Sequence, residues 1–304
     1  MNIFLIRRIH LTAITLSIVL ATVLATLGCS SIQENPIEKN IAPADLRIAL
    51  AVTDLNLGKN RIAFGVIEPG GGPIEDADVI LETYFLDGNS DKNPVEILAT
   101  VFRKWPTNQG GVYTTNATFS NPGSWGILAR VDQKTGDSRI ASAKIVIKKR
   151  SSSPYVGSKA PQSLTKTASL GDDMSHITSD PNPHMPLYTK SISEAVTSGK
   201  VSVILFATPA FCRTATCGPQ VKTIASLEIK MGDSVNFLHV EIYDNPHKIL
   251  GDITNAEVSP EVRKWNLPSE PWTFVVDSKG IVSNRFEGFA TEGEIKEAIS
   301  ALTR

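Results

Sequence analysis

Residues 270–288 read EPWTFVVDSKGIVSNRFEG. A proline enters the segment, and residues 273–277 follow as an apolar run closed by Asp277. A short continuous run of β-branched and aromatic residues bounded by turn signals reads as a strand. Lys279-Gly280 supplies a hairpin turn, and residues 281–286 return as a second strand. Residues 291–302 then read as a closing helix. Glu292 and Glu294 stand in its first turn, and Ile295, Ala298, Ile299 and Leu302 fall on one face.

Upstream, residues 191–198 predict a short helix stopped by Gly199. Residues 201–206 are a second run, apolar but for Ser202, as expected of a strand covered on both faces of an α/β sheet. The stretch FATPAFCRTATCGPQ (residues 206–220) comes next and holds two of the three cysteines, Cys212 and Cys217. A helix is predicted over 219–230, with Val221, Ile224, Ala225 and Glu228 at helical spacing and Gly232 at its end. A strand over 235–243 and a helical turn over 261–265 complete the half.

The order β, cysteine loop, α, β, α, β, β, α resembles the thioredoxin-like superfamily, and residues 270–288 carry the resemblance most specifically. Pro271, Thr273, Phe274, Asp277 and Lys279-Gly280 match a pattern of that family. The resemblance spans about 115 residues. VGSKAP (residues 156–161) is similar to the segment that enters redoxin domains. The resemblance implies an α/β thioredoxin fold over residues 187–304, with Pro271 in the cis state and facing the cysteines. It implies a catalytic set of Cys212, Cys217 and Pro271. Two departures stand out: a CxxxxC spacing, and no carboxylate within 201–206, where thioredoxin keeps a buried acid.

A thiol at a helix N-terminus sees unpaired N–H groups and the positive end of the helix dipole, both of which favour the thiolate. Residues i and i+5 of a regular helix lie about 8.6 Å apart, whereas a disulfide tolerates at most about 7 Å between Cα atoms. If the two cysteines bond, residues 213–216 form a non-helical loop, with the helix starting near Gly218-Pro219. The attacking sulfur is Cys212 by its distance from the strand and the aromatic Phe211 before it, with Cys217 resolving. Against that, Cys217-Gly218-Pro219-Gln220 resembles thioredoxin's CGPC, and either role remains open for either cysteine. Trp272, bulkier than the family's usual residue, either narrows a substrate groove or packs in the core.

Residues 45–148 have a different texture. About seven short segments rich in Val, Ile, Ala and aromatics (47–52, 61–67, 78–85, 95–102, 112–119, 126–131 and 141–147) are separated by Gly-, Asn- and Pro-containing turns. That pattern predicts an all-β Ig-like sandwich. The fold class expected is multidomain: an N-terminal sandwich followed by the α/β domain.

At the N-terminus, Arg7 and Arg8 precede an apolar run over residues 11–27 and then Gly28-Cys29-Ser30. This is the layout of an export signal, and residues 25–29 resemble the bacterial lipobox. The resemblance implies acylation of Cys29 and removal of a lipoprotein-type signal over 1–28; an uncleaved signal anchor is the other reading. Residues 29–44 read as a polar tether, and 149–186 as a connector rich in Ser, Pro and Thr. Both readings of the N-terminus place the body outside the cytoplasmic membrane, an oxidising setting in which Cys212 and Cys217 are expected to pair.

A 304-residue chain that is 41% hydrophobic can bury a large core. Its net charge of −1 offers no footprint for nucleic acid. No cofactor is expected. The function expected is a membrane-tethered extracytoplasmic thiol–disulfide oxidoreductase acting on exported protein thiols and disulfides, with a membrane thiol-electron carrier if it reduces them. The alternatives are a binding or scaffold lipoprotein with a structural disulfide, a CxxxxC peroxiredoxin, and a copper-handling chaperone. For the peroxiredoxin, Thr208 stands four residues before Cys212 where that family has three. For copper, Met174, His176, His184 and Met185 lie close in the connector without a fixed ligand spacing. His239 falls in a strand and His247 in a loop.

Overall fold

Along residues 125–131, Trp125, Ile127, Ala129 and Val131 fall at every second position on one buried face, the period of an antiparallel strand with one face in the core. The computed structural model describes residues 46–88, 93–106, 110–132 and 138–303. The expected export signal over 1–28, Cys29 and the expected tether over 29–44 lie outside the described residues.

The first half is built of β1 (Arg47–Leu50), β2 (Gly58–Ile67), β3 (Asp78–Phe85), β4 (Glu96–Ala99), β5 (Val101–Lys104), β6 (Gly111–Phe119), β7 (Gly123–Asp132) and β8 (Ser138–Ile147). They form two antiparallel four-stranded sheets, ordered β1-β2-β6-β5 and β4-β3-β7-β8. Both contribute to one core containing Ile62, Phe64, Leu81, Phe119, Trp125 and Ile147, which makes a β-sandwich. Phe85 and Phe119 pack on Trp125, whose indole N–H donates to the Asn121 carbonyl at 3.0 Å.

The segment expected as one strand over 95–102 is two strands in different sheets. Thr100 is held by β3, its N–H and hydroxyl both donating to the Val79 carbonyl, and Val101 already pairs with Thr114 of β6. A strand that changes sheets makes a sandwich corner. Composition cannot reveal this, because both halves keep strand character.

The second half contains α1 (Ile192–Thr197), β9 (Ser202–Ala207), α2 (Cys217–Met231), β10 (Asn236–Glu241), the short pair β11 (Tyr243–Asp244) and β12 (Glu257–Val258), α3 (Pro260–Trp265), β13 (Trp272–Val276), β14 (Val282–Glu287) and α4 (Glu292–Ser300). The main sheet runs β10-β9-β13-β14, with β10 and β9 parallel and β13 antiparallel to both of its neighbours. All residues of β9 and β13 are buried. Helices α2 and α4 cover one face through Val221, Ile224, Leu227, Ile295 and Ile299. On the other face, Ile192 and Val196 of α1 and Trp265 of α3 pack with Phe206 and Phe274. Reciprocal capping boxes start α1 (Ser191 with Glu194) and α4 (Thr291 with Glu294).

Residues 149–186 are folded rather than loose. Gly157, Ser158 and Ala160 exchange backbone hydrogen bonds with Val282 and Gly280, so they line the outer edge of β14 and cover an otherwise exposed strand.

The sandwich and the second sheet are joined by a buried polar network. Arg285 on β14 donates to the Asp54 carboxylate at 3.0 Å, to Asn56 at 2.8 Å and to Ser151 at 2.7 Å. Lys148 adds a second cation to Asp54 at 2.9 Å, and Asp54 is fully buried. Glu287 accepts from the Thr53 N–H at 2.7 Å and the Thr53 hydroxyl at 2.6 Å, and Arg61 pairs with Glu294 at 2.9 Å.

Candidate functional site

The second half is a thioredoxin-like fold: a β10-β9-β13-β14 sheet, a cysteine loop between β9 and α2, and a cis peptide bond between Glu270 and Pro271 leading into β13. The geometry of its cysteine loop follows from that frame.

Cys212 and Cys217 are joined by a disulfide with their Cα atoms 5.9 Å apart. Residues 213–216 are non-helical and Ala215 takes a left-handed conformation with φ +57°, which turns the chain back so the sulfurs meet. Helix α2 begins at Cys217 itself, ahead of the expected start near Gly218-Pro219, with the first helical bond from Gln220 N–H to the Thr216 carbonyl at 2.9 Å. Pro219 lies in the first turn, where a missing N–H costs no helical bond.

The two sulfurs differ. Cys217 is fully buried in the core under α2, while Cys212 is part-exposed. The Cys217 N–H, at the mouth of the helix, donates to Cys212 Sγ at 3.3 Å. The Thr214 hydroxyl also contacts Cys212 Sγ at 3.3 Å and in turn meets Thr216 at 2.8 Å. The hydroxyl against this sulfur is therefore Thr214's, whereas Thr208 is buried at the end of β9. Phe211 packs edge-on against Tyr243, which anchors the loop's near end.

Trp272 is resolved as a core residue. It is buried, stacks on Phe274, lies under the Arg285 guanidinium, and donates its indole N–H to Ser269 at 3.0 Å.

Two carboxylates near the loop were not singled out in the sequence. Glu241, at the end of β10 and paired with Ala207 of β9, is buried. Burial pushes its carboxyl up from the ordinary value of 4.5, against hydrogen bonds that favour the charged form. The carboxylate accepts from the Ser179 N–H at 2.8 Å and hydroxyl at 2.7 Å and from the Ile242 N–H at 3.1 Å, with the Thr208 hydroxyl beside it. Ser179 also accepts from the Ala210 N–H at 3.2 Å, so the acid is tied to the cysteine loop. Residues 201–206 carry no carboxylate, and the neighbouring strand carries this buried one. An acidic residue closing the apolar run FLHVE was the available signal. Glu270, immediately before Pro271, is half-buried, and burial pushes it up despite the charge and backbone N–H of Arg213.

Glu241 gives a pH test. A carboxyl whose pKa is raised in the folded state contributes stability that is complete below its unfolded value and is lost as pH rises through the folded value. Glu241→Gln removes that loss. The difference in Tm, variant minus wild type, should therefore grow from pH 4 to pH 8 in thermal melts. A flat difference would mean the carboxyl is not raised.

The histidines do not gather at the disulfide. His239 is buried, its Nε2–H donating to the Ala207 carbonyl at 3.1 Å and its Nδ1 accepting from the Tyr188 hydroxyl at 2.7 Å. Desolvation holds it down to about 4, so it is neutral and structural. His184 bonds Glu228 at 2.7 Å, and the His176 ring lies 3.9 Å from that of His247. Among the described residues, no group of three or more His, Cys, Asp or Glu is arranged to hold a metal ion. Also among them, no helix is long and apolar enough to cross a membrane.

The YtkA-like family model matches residues 42–129. Solved structures with likeness to the chain include a thiol:disulfide interchange protein of the thioredoxin family from Chlorobium tepidum TLS. It is 15% identical, with 39% of this chain and 90% of that one covered at a TM-score of 0.31. A putative thiol:disulfide interchange protein DsbE from Chlorobium tepidum is 15% identical, with 50% and 100% covered at 0.36. StoA from Bacillus subtilis is 18% identical, with 33% and 82% covered at 0.26. No curated protein matches.

Proposed function

We propose that this chain is an extracytoplasmic thiol–disulfide oxidoreductase, held at the membrane by lipid on Cys29, with Cys212 as the exchanging sulfur and Cys217 as the resolving one. The observation that carries the reading is the asymmetry of the pair: an accessible Cys212 sulfur accepts an N–H from the first residue of α2, and its partner is buried behind it. A helix N-terminus offers a developing thiolate both a hydrogen bond and a favourable dipole.

In the reducing direction, the Cys212 thiolate attacks one sulfur of a substrate disulfide. A Cys212–substrate disulfide forms and the other substrate sulfur leaves as a thiolate. The Cys217 thiolate then attacks Cys212 sulfur, forming the intramolecular disulfide and releasing the second substrate thiol. Two electrons pass to the substrate, and a membrane thiol carrier restores the pair. The oxidising direction runs the same steps backward. Residues 1–28 as an export signal, 29–44 as a tether, and domains over 45–148 and 187–304 complete the proposed organisation.

The test is equilibration of the protein in dithiothreitol and glutathione redox buffers, with the reduced fraction read by thiol alkylation and mass. A redox-active pair titrates within the range set by these buffers. A pair that stays oxidised in excess dithiothreitol under native conditions is a staple, which would leave the scaffold reading.

A further inference from the structure

Beside the disulfide lies a groove of about 310 Å³ whose two walls come from different halves of the chain. Thr214 and Thr216, in the loop between the cysteines, form one wall together with Glu270. Leu50, Ala63, Trp105 and Val112 of the sandwich form the other. Leu50 is one of the exposed large apolar side chains, 38% accessible, on the edge strand β1. The charged groups at the groove are already engaged: Glu287 with Thr53 and Ser269, Arg61 with Glu294, and Glu270 with Arg213. What the groove offers an occupant is therefore apolar surface.

We infer that this groove receives the residues flanking the substrate's cysteine, and that the substrate is an extended polypeptide segment with apolar side chains next to that cysteine. The inference rests on the thiol-exchange reading above and adds the substrate's chemistry to it. Thr214, whose hydroxyl lies 3.3 Å from Cys212 Sγ, is part of the groove's wall, so a chain bonded to Cys212 has the groove open beside it. Extended backbone advances about 3.3 Å per residue, so the first few residues beyond the cysteine reach the sandwich wall. The sandwich then selects substrates without taking part in the exchange. A small thiol has no flanking residues and gains nothing from it.

The test uses the reduced full chain and two disulfide-linked peptide homodimers, one with Leu, Val and Phe around the cysteine and one with Ser and Asn. Attack by Cys212 forms a protein–peptide disulfide and releases one peptide as a thiol, which chromatography counts. Burial of one apolar side chain predicts about a tenfold faster exchange with the apolar peptide. Leu50→Asp and, separately, Trp105→Glu bring that ratio close to one, with folding checked by circular dichroism. Equal rates for the two peptides with the wild-type chain overturn the inference, as does a ratio that neither variant changes. If the pair exchanges with neither the peptides nor dithiothreitol, the thiol-exchange reading falls and takes the groove with it. Exchange with dithiothreitol but no discrimination sinks the groove alone.

Discussion

Cys217→Ser, in its reduced form, accumulates a covalent adduct with a disulfide-bearing peptide, while Cys212→Ser forms none. The expectation follows from the burial of Cys217 and the part-exposure of Cys212. An incoming disulfide must reach the attacking sulfur in line, and only Cys212 has an open face. Once the mixed disulfide exists, its release depends on a neighbour held against it. A positioned intramolecular group acts at an effective concentration far above that of millimolar thiol in solution, so loss of Cys217 slows resolution by on the order of 10³-fold or more. Intact mass under non-reducing conditions reads the adduct directly. Because Ser places a hydroxyl in the apolar core under α2, Cys217→Ala serves as a second variant that removes the sulfur without burying a polar group. Adducts on Cys212→Ser in place of Cys217→Ser would exchange the two roles and require the loop to open before reaction.

Asp54→Ala lowers stability by about 3 kcal/mol, the low end of the cost of breaking a buried ion pair from one side. Arg285 and Lys148 both donate to this fully buried carboxylate, and neither cation has another carboxylate partner among the described residues. The Arg285 contact to Asn56 remains in the variant and limits the loss. For a chain of this size the shift in Tm is roughly 6–12 °C. The pH dependence has a definite sign. Burial by itself pushes the Asp54 carboxyl up, but hydrogen bonds from Ser151 and Lys148 and the charge of Arg285 win and hold it below its ordinary 3.8. A depressed carboxyl contributes stability that is present above its unfolded value and is lost as pH falls through the folded one. The gap between wild type and Asp54→Ala should accordingly be constant from pH 7 to about 5 and shrink below about 4. A gap that persists at pH 2 would assign the loss to packing instead of charge.

Neighbouring residues carried much of this architecture in the sequence. The buried runs at 201–206 and 273–277 became β9 and β13, and the disulfide requirement that residues 213–216 be non-helical was met by a left-handed Ala215. Other features were illegible. Nothing in the run 95–102 announces that it divides at Thr100, since the division depends on which strands stand on either side. Residues 149–186 read only as a Ser-, Pro- and Thr-rich connector because the edge of β14 that they line is more than a hundred residues away. Glu241 reads as an ordinary strand-end acid until Ser179 and the packed sheet close around it.

By itself, the sequence determined the order of elements, the spacing of the cysteines, and the constraint that a bonded pair imposes on its loop. These depend on periodicity and covalent reach, which act between residues a few positions apart. Only the tertiary structure decided which sulfur is open, which carboxylates are buried, that Trp272 packs in the core, and that the sandwich walls a groove beside the disulfide. Burial and charge pairing are set by residues distant in the chain and brought together by folding, such as Asp54 with Arg285 or Trp105 with Thr214. Desolvation acts on whatever those distant neighbours enclose, so the reactivity of a side chain is a property of the packed molecule.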